Sequence, residues 1–105
     1  MVQRKGYLYS MWSGALKVYE GCVEQSVHGG DRYHFYVRRG TKIIRRVMCN
    51  GHPGFVSNAT VWLEERDDKK AIDILIQYEN EQIEELKDRI RKYEQKIEML
   101  RNAEL

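Results

Sequence analysis

Proline is almost missing from this chain: of 105 residues only Pro53 is a proline, and after Gly54 there is no glycine either. The last third therefore holds no helix breaker, and Ala, Leu, Glu, Lys, Gln and Arg dominate it after residue 68. Absent too is any apolar run near the roughly 18 residues that a membrane-spanning helix needs. No basic-then-apolar leader opens the sequence, so a cytoplasmic protein is expected. Cysteine occurs twice, and in that compartment Cys22 and Cys49 are expected to be reduced, semi-buried thiols. The glycosylation acceptor spelled by Asn58-Ala59-Thr60 then has no meaning. Catalytic signatures are missing as well. Gly29-Gly30 and Gly51-x-x-Gly54 lack the strand, helix and Lys-Ser/Thr context of phosphate loops, and there is no nucleophile elbow or paired-carboxylate arrangement. Cys49-x-x-His52, with Cys22 and His28 elsewhere, has zinc-binding residue types, but one half-spacing falls short of the two close pairs of a structural site. Neither catalysis, nor a metal, nor a cofactor is expected.

What is present is a long helix. From about Asp67 to Leu100 a heptad stripe places Ile76, Ile83, Ile90 and Ile97 at position a, with Ile72, Leu86, Tyr93 and Leu100 at d; Glu79 alone breaks it. Such a helix runs roughly 50 Å, whereas a compact body of the preceding residues is only about 27 Å across. Its far half is expected to overhang and to bury the isoleucine seam on another copy, making the protein a homo-oligomer, a dimer or higher. The interface residues are Ile76, Ile83, Leu86, Ile90, Tyr93, Ile97 and Leu100. Parallel pairing sets Arg89 against Glu94 but Lys96 against Arg101, and antiparallel pairing sets Lys87 against Glu94, so the pattern leaves both open.

The remainder predicts five strands joined by turns. They run from Arg4 to about Trp12, from Ala15 to about Ser26 with a bulge at Gly21, over Tyr33 to Arg38, over Lys42 to Cys49, and over Phe55 to Leu63. Turns are expected at Ser13-Gly14, His28 to Asp31, Arg39 to Thr41 and Asn50 to Gly54. The expected fold is α+β: residues 1–64 form a small, strongly bent antiparallel sheet or SH3-like barrel, covered by the first helical turns, and residues 65–102 form the oligomerisation helix.

Charge is divided between these parts. Residues 1 to 63 carry nine Lys/Arg against three Asp/Glu, a net +6, and residues 64 to 105 carry nine against thirteen, a net −4. Arg38, Arg39, Lys42, Arg45 and Arg46 crowd one hairpin, and alternation sends Arg38 and Arg46 to the face opposite Arg39 and Arg45. These cations either solvate a strand edge or pair with the acidic helix, or they grip phosphate or an acidic protein, with Tyr33, His34 and Tyr36 available for stacking. Nucleic acid along a groove is less favoured, because the total charge is only +2 and the helix would repel it. On the helix Lys87, Arg89, Arg91, Lys92 and Lys96 form a second basic segment, which reads either as a solvated coiled-coil face or as a further anion contact through Arg89.

The stretch from Val61 to Leu86, Val-Trp-Leu-Glu-Glu-Arg-Asp-Asp-Lys-Lys-Ala-Ile and onward into a charged helix, follows a small sheet rich in Tyr, Val and turn glycines. In this layout the chain resembles short phage-encoded counter-defence proteins, and among them the Thoeris anti-defence sponges. That resemblance implies a non-catalytic oligomer that sequesters a phosphorylated cyclic nucleotide in pockets at subunit junctions, where helix and sheet arginines meet the phosphates and aromatics surround the base. Small anti-CRISPR proteins share the size and style, and imply instead an interaction module docked on a host defence nuclease.

Overall fold

The computed structural model describes residues 3–11, 14–25, 32–57 and 59–104. Five strands, β1 (Arg4–Ser10), β2 (Lys17–Gln25), β3 (Tyr33–Arg39), β4 (Lys42–Cys49) and β5 (Thr60–Leu63), precede one helix, α1 (Asp68–Arg101). The strands form a single antiparallel sheet in the order β4-β3-β2-β1-β5. The expected α+β sheet-plus-helix fold is present, and the sheet is open, with β4 and β5 at its edges. Among the described residues no helix is long and apolar enough to cross a membrane.

Alternation along the strands builds two cores. One face collects Leu8, Val23, Phe35, Val37, Cys49 and Trp62, one or more side chains from every strand. The indole of Trp62 is fully buried and its Nε1 donates to the Asn50 carbonyl at 2.6 Å, tying edge strand β5 to the segment that follows β4. The opposite face of β1 and β5 presents Tyr9, Val61 and Leu63 to Ala71 and Leu75 of α1, with Ile74 packed alongside. The first turns of the helix thus cover the sheet, as expected, and the compact unit containing the strands continues to Leu75; residues 76–105 form a second unit.

Two expectations differ in detail. The bulge does not fall at Gly21, whose pairing is continuous with both Gly6 and Val37. A Cβ there would lie 1.9 Å from the Tyr36 carbonyl oxygen and 2.8 Å from the Phe35 ring, so close approach selects the glycine. The register irregularity lies between Val37 and Arg38, opposite the unpaired Ile44. The last strand begins at Thr60 rather than Phe55, because Ala59 takes φ 58° and Ser57 and Thr60 exchange backbone hydrogen bonds at 2.9 and 3.0 Å. The turn expected over residues 28 to 31, and the strand ends at Trp12 and Ser26, lie outside the described residues.

The start of α1 is locked from the sheet. Asp67 Oδ1 accepts the Lys70 amide at 3.1 Å, an N-cap, while Tyr9 Oη accepts the Asp67 amide at 3.1 Å and donates to Asp68 Oδ1 at 2.7 Å. Burial, and next the bond to Asp68, push the Tyr9 hydroxyl up to about 12. The Asp68 carboxyl is held below its usual range, first by Tyr9 and then by Arg66. Because the Tyr9 value is raised, its contribution is complete below pH 10 and is lost as pH climbs towards about 12. Because the Asp68 value is depressed, its contribution is complete above about pH 3.8 and fades as pH falls below it. Tyr9→Phe is expected to cost about 1–2 kcal/mol near neutrality, by stranding the Asp67 amide. Urea unfolding of the variant should also lack the wild-type loss of stability above pH 10.

Candidate functional site

The β3–β4 hairpin reverses at Gly40, whose φ of 64° suits a residue without a side chain. Pairing of Tyr36 with Arg46 and of Val37 with Arg45 sends the two adjacent arginines to opposite faces. Arg45 shares the face of Phe35 and Val37. Its guanidinium carbon lies 6.0 Å from the centre of the Tyr19 ring, and its Nη1 reaches the Tyr19 hydroxyl at 3.4 Å. These two residues line a cleft of about 270 Å³ together with Leu8, Ser10 and Val47 and the adjoining Arg46 and Met48 at the β4 edge. Arg46 belongs with His34 and Tyr36, whose rings tilt at 54° with centres 6.3 Å apart. Arg38 lines a different cleft, of about 630 Å³, beside Lys5, Glu20 and Cys22. Arg39 and Lys42 face each other next to the turn.

The hairpin therefore places the sequence-predicted residues on two surfaces. Arg38, Arg46, His34 and Tyr36 share one of them, and Arg45 and half-buried Tyr33 the other. Tyr33 stands over Gly51, where a Cβ would come within 2.5 Å of the ring, in a cleft with Arg32 and His52. Arg89 is exposed in the helical unit. All five hairpin cations are exposed, and among the described residues none forms an ion pair; the ion pairs there belong to Arg4, Arg66, Lys87 and Arg91. Tyr19 was not among the candidates, and its only signal in the sequence is its phase, two residues from Gly21 on the core-facing side of β2.

Cys22 pairs with Tyr36 and Cys49 with Tyr33, so the two thiols point to opposite faces and both are free. Burial pushes the Cys49 thiol up to about 12, leaving it protonated and unreactive at neutral pH. Among the described residues no three His, Cys, Asp or Glu side chains cluster to hold a metal ion, and His28 lies outside them.

On the helix, Ile76, Ile83, Leu86, Ile90, Tyr93, Ile97 and Leu100 are all exposed, as is Ile72. The residues buried against the sheet, Ala71 and Leu75, belong to a separate stripe, each one position before a seam residue and so about 100° away around the helix. Comparison with known protein families, with curated proteins and with solved structures finds no match.

Proposed function

We propose that the protein is a non-catalytic, self-associating binding module of the cytoplasm, in which helix seams join copies and the β3–β4 hairpin holds an anionic partner. The observation that carries this reading is the set of five exposed cations, none of which forms an ion pair with a carboxylate among the described residues. Arginine offers a planar fork that grips carboxylates and phosphates in pairs of hydrogen bonds, and four of the five are arginine. Their division between two faces of one edge suits a partner that wraps the hairpin, such as a host defence protein with an acidic surface, better than a ligand enclosed by one protomer.

A second reading, the sponge for a phosphorylated cyclic nucleotide, is favoured by the Tyr19–Arg45 cleft, which joins a stacking ring to a guanidinium. Titration with polyglutamate and with cyclic nucleotides separates the two. Polyglutamate binding that weakens with salt, and that falls at least roughly tenfold in an Arg45→Ala, Arg46→Ala double variant, supports the acidic partner. A cyclic nucleotide at about a hundred times its dissociation constant should instead stabilise the fold by about 2.7 kcal/mol. Wild-type protein indifferent to both would remove the hairpin from the site.

A further inference from the structure

The two edges of the sheet are not alike. The outer side of β5 is occupied by its own leading loop, through the Gly54 amide on the Trp62 carbonyl at 2.9 Å and the paired Ser57 and Thr60. Strand β4 is twice as long, at eight residues against four, and among the described residues it pairs with β3 alone. Its Ile43, Ile44 and Met48 are each about half exposed, at 54, 53 and 51 %. A long edge with exposed apolar residues is a template for strand pairing unless something excludes the wrong strands. Here Lys42, Arg45 and Arg46 do so. A second copy of β4 laid against this edge would bring cations against cations, which is unfavourable for directly opposed residues. The same charges attract a strand of opposite sign.

Resting on the anionic-partner reading above, we infer that β4 is a strand-addition site that takes an extended acidic segment of a partner protein as a sixth strand. The register narrows what fits. Ile44 is unpaired at the irregularity and Cys49 is buried beside the Asn50 carbonyl that Trp62 occupies, so the regular ladder available to an incoming strand runs from Arg45 to Met48. Arg45 and Arg46 point to opposite faces, so an incoming strand matches both only with two consecutive acidic residues. Met48 shares the face of Arg46 and is half exposed, so an apolar residue two positions beyond the second acid covers it. The recognised pattern is acid, acid, any residue, apolar. Main-chain hydrogen bonds supply affinity and these side chains the selection.

The test uses a synthetic peptide, Thr-Val-Thr-Glu-Glu-Thr-Val-Thr, which carries that pattern in both chain directions. It should bind the 105-residue chain, slow amide hydrogen exchange over Arg45 to Met48, and lose affinity roughly tenfold or more when its central amides are N-methylated, since that removes the ladder and keeps the charge. Replacing both glutamates by lysine should abolish binding. Equal binding of the methylated peptide overturns strand addition while leaving the anionic grip standing. No binding of the peptide alongside tight binding of polyglutamate has the same meaning. A single-stranded oligonucleotide that binds more tightly, with the β4 amides still exchanging freely, overturns it in favour of a nucleic-acid surface. Failure of every anionic probe removes the underlying reading as well.

Discussion

Under the proposed self-association, Ile90→Asp is expected to yield a monomer or an aggregate where the wild type yields a dimer or higher oligomer. In a single copy the seam is open along its length: Ile76, Ile83, Ile90 and Ile97 are 47 to 55 % exposed, and Leu100 75 %. The first helical turns satisfy the sheet with Ala71 and Leu75 and leave the seam untouched, so even Ile72 and Ile76 keep their apolar faces in water. Removing the exposed half of each isoleucine from water is worth about 1 kcal/mol. The gain recurs at every seam position on both copies, against an association cost of several kcal/mol or more. An aspartate at the centre of that seam places an uncompensated charge in a desolvated interface, a penalty of several kcal/mol by itself. Because Ile90 lies in the unit of residues 76–105, the near-ultraviolet signal of the sheet core should be unchanged. Light scattering at micromolar concentration reads the mass directly. A wild-type value near 12.5 kDa would show that the seam stays unpaired and that self-association is wrong.

The parts of this structure set by local chemistry were readable from the residues. The helix follows from a breaker-free run with a seven-residue recurrence, and β3 and β4 from alternation between turn residues. The two-faced division of Arg45 and Arg46 follows from period two alone. What escaped was set by neighbours distant in sequence. Ile72, Ile74, Leu75 and Ile76 are nearly contiguous, so two stripes overlap, and the heptad hid the Ala71–Leu75 stripe that meets the sheet. Gly21 carries the mark of a special backbone site, but its reason is the Tyr36 carbonyl on the adjacent strand. Ala59 at φ 58° gives no warning, since alanine is not a turn residue, and alternation alone therefore extends the last strand back to Phe55 where the structure begins it at Thr60. Arg45 meets Tyr19 across the intervening β3, a contact that depends on sheet register and curvature and on no spacing in the sequence. For the candidate site, then, the cations were readable and their aromatic neighbour was not.

Trp62→Ala is expected to cost the sheet about 3–5 kcal/mol for the cavity alone. The indole is the largest fully buried side chain among the described residues and packs with Leu8, Val23, Phe35, Val37 and Cys49. Its room is made by Gly6, where a Cβ would lie 2.9 Å from Cε3, and the Arg4 guanidinium stands 5.1 Å from the ring centre. Loss of the Nε1 bond leaves the Asn50 carbonyl without its partner, adding about 1 kcal/mol. Against a typical total of about 5–15 kcal/mol, and fewer for so small a body, the variant should be largely unfolded at room temperature. Trp62→Phe separates the two contributions, keeping most of the packing and losing the hydrogen bond, and should cost about 1–2 kcal/mol. The readout must follow the sheet rather than the helix, because residues 76–105 form a separate unit whose helical signal does not report on the strands. Hydrogen exchange at β1 and β5 does so, compared at equal protein concentration. Protection in Trp62→Ala within about 1 kcal/mol of the wild type would mean that the Leu8–Phe35–Trp62 core does not hold the open sheet together, and that the Tyr9–Leu75 core beneath the helix carries the fold instead.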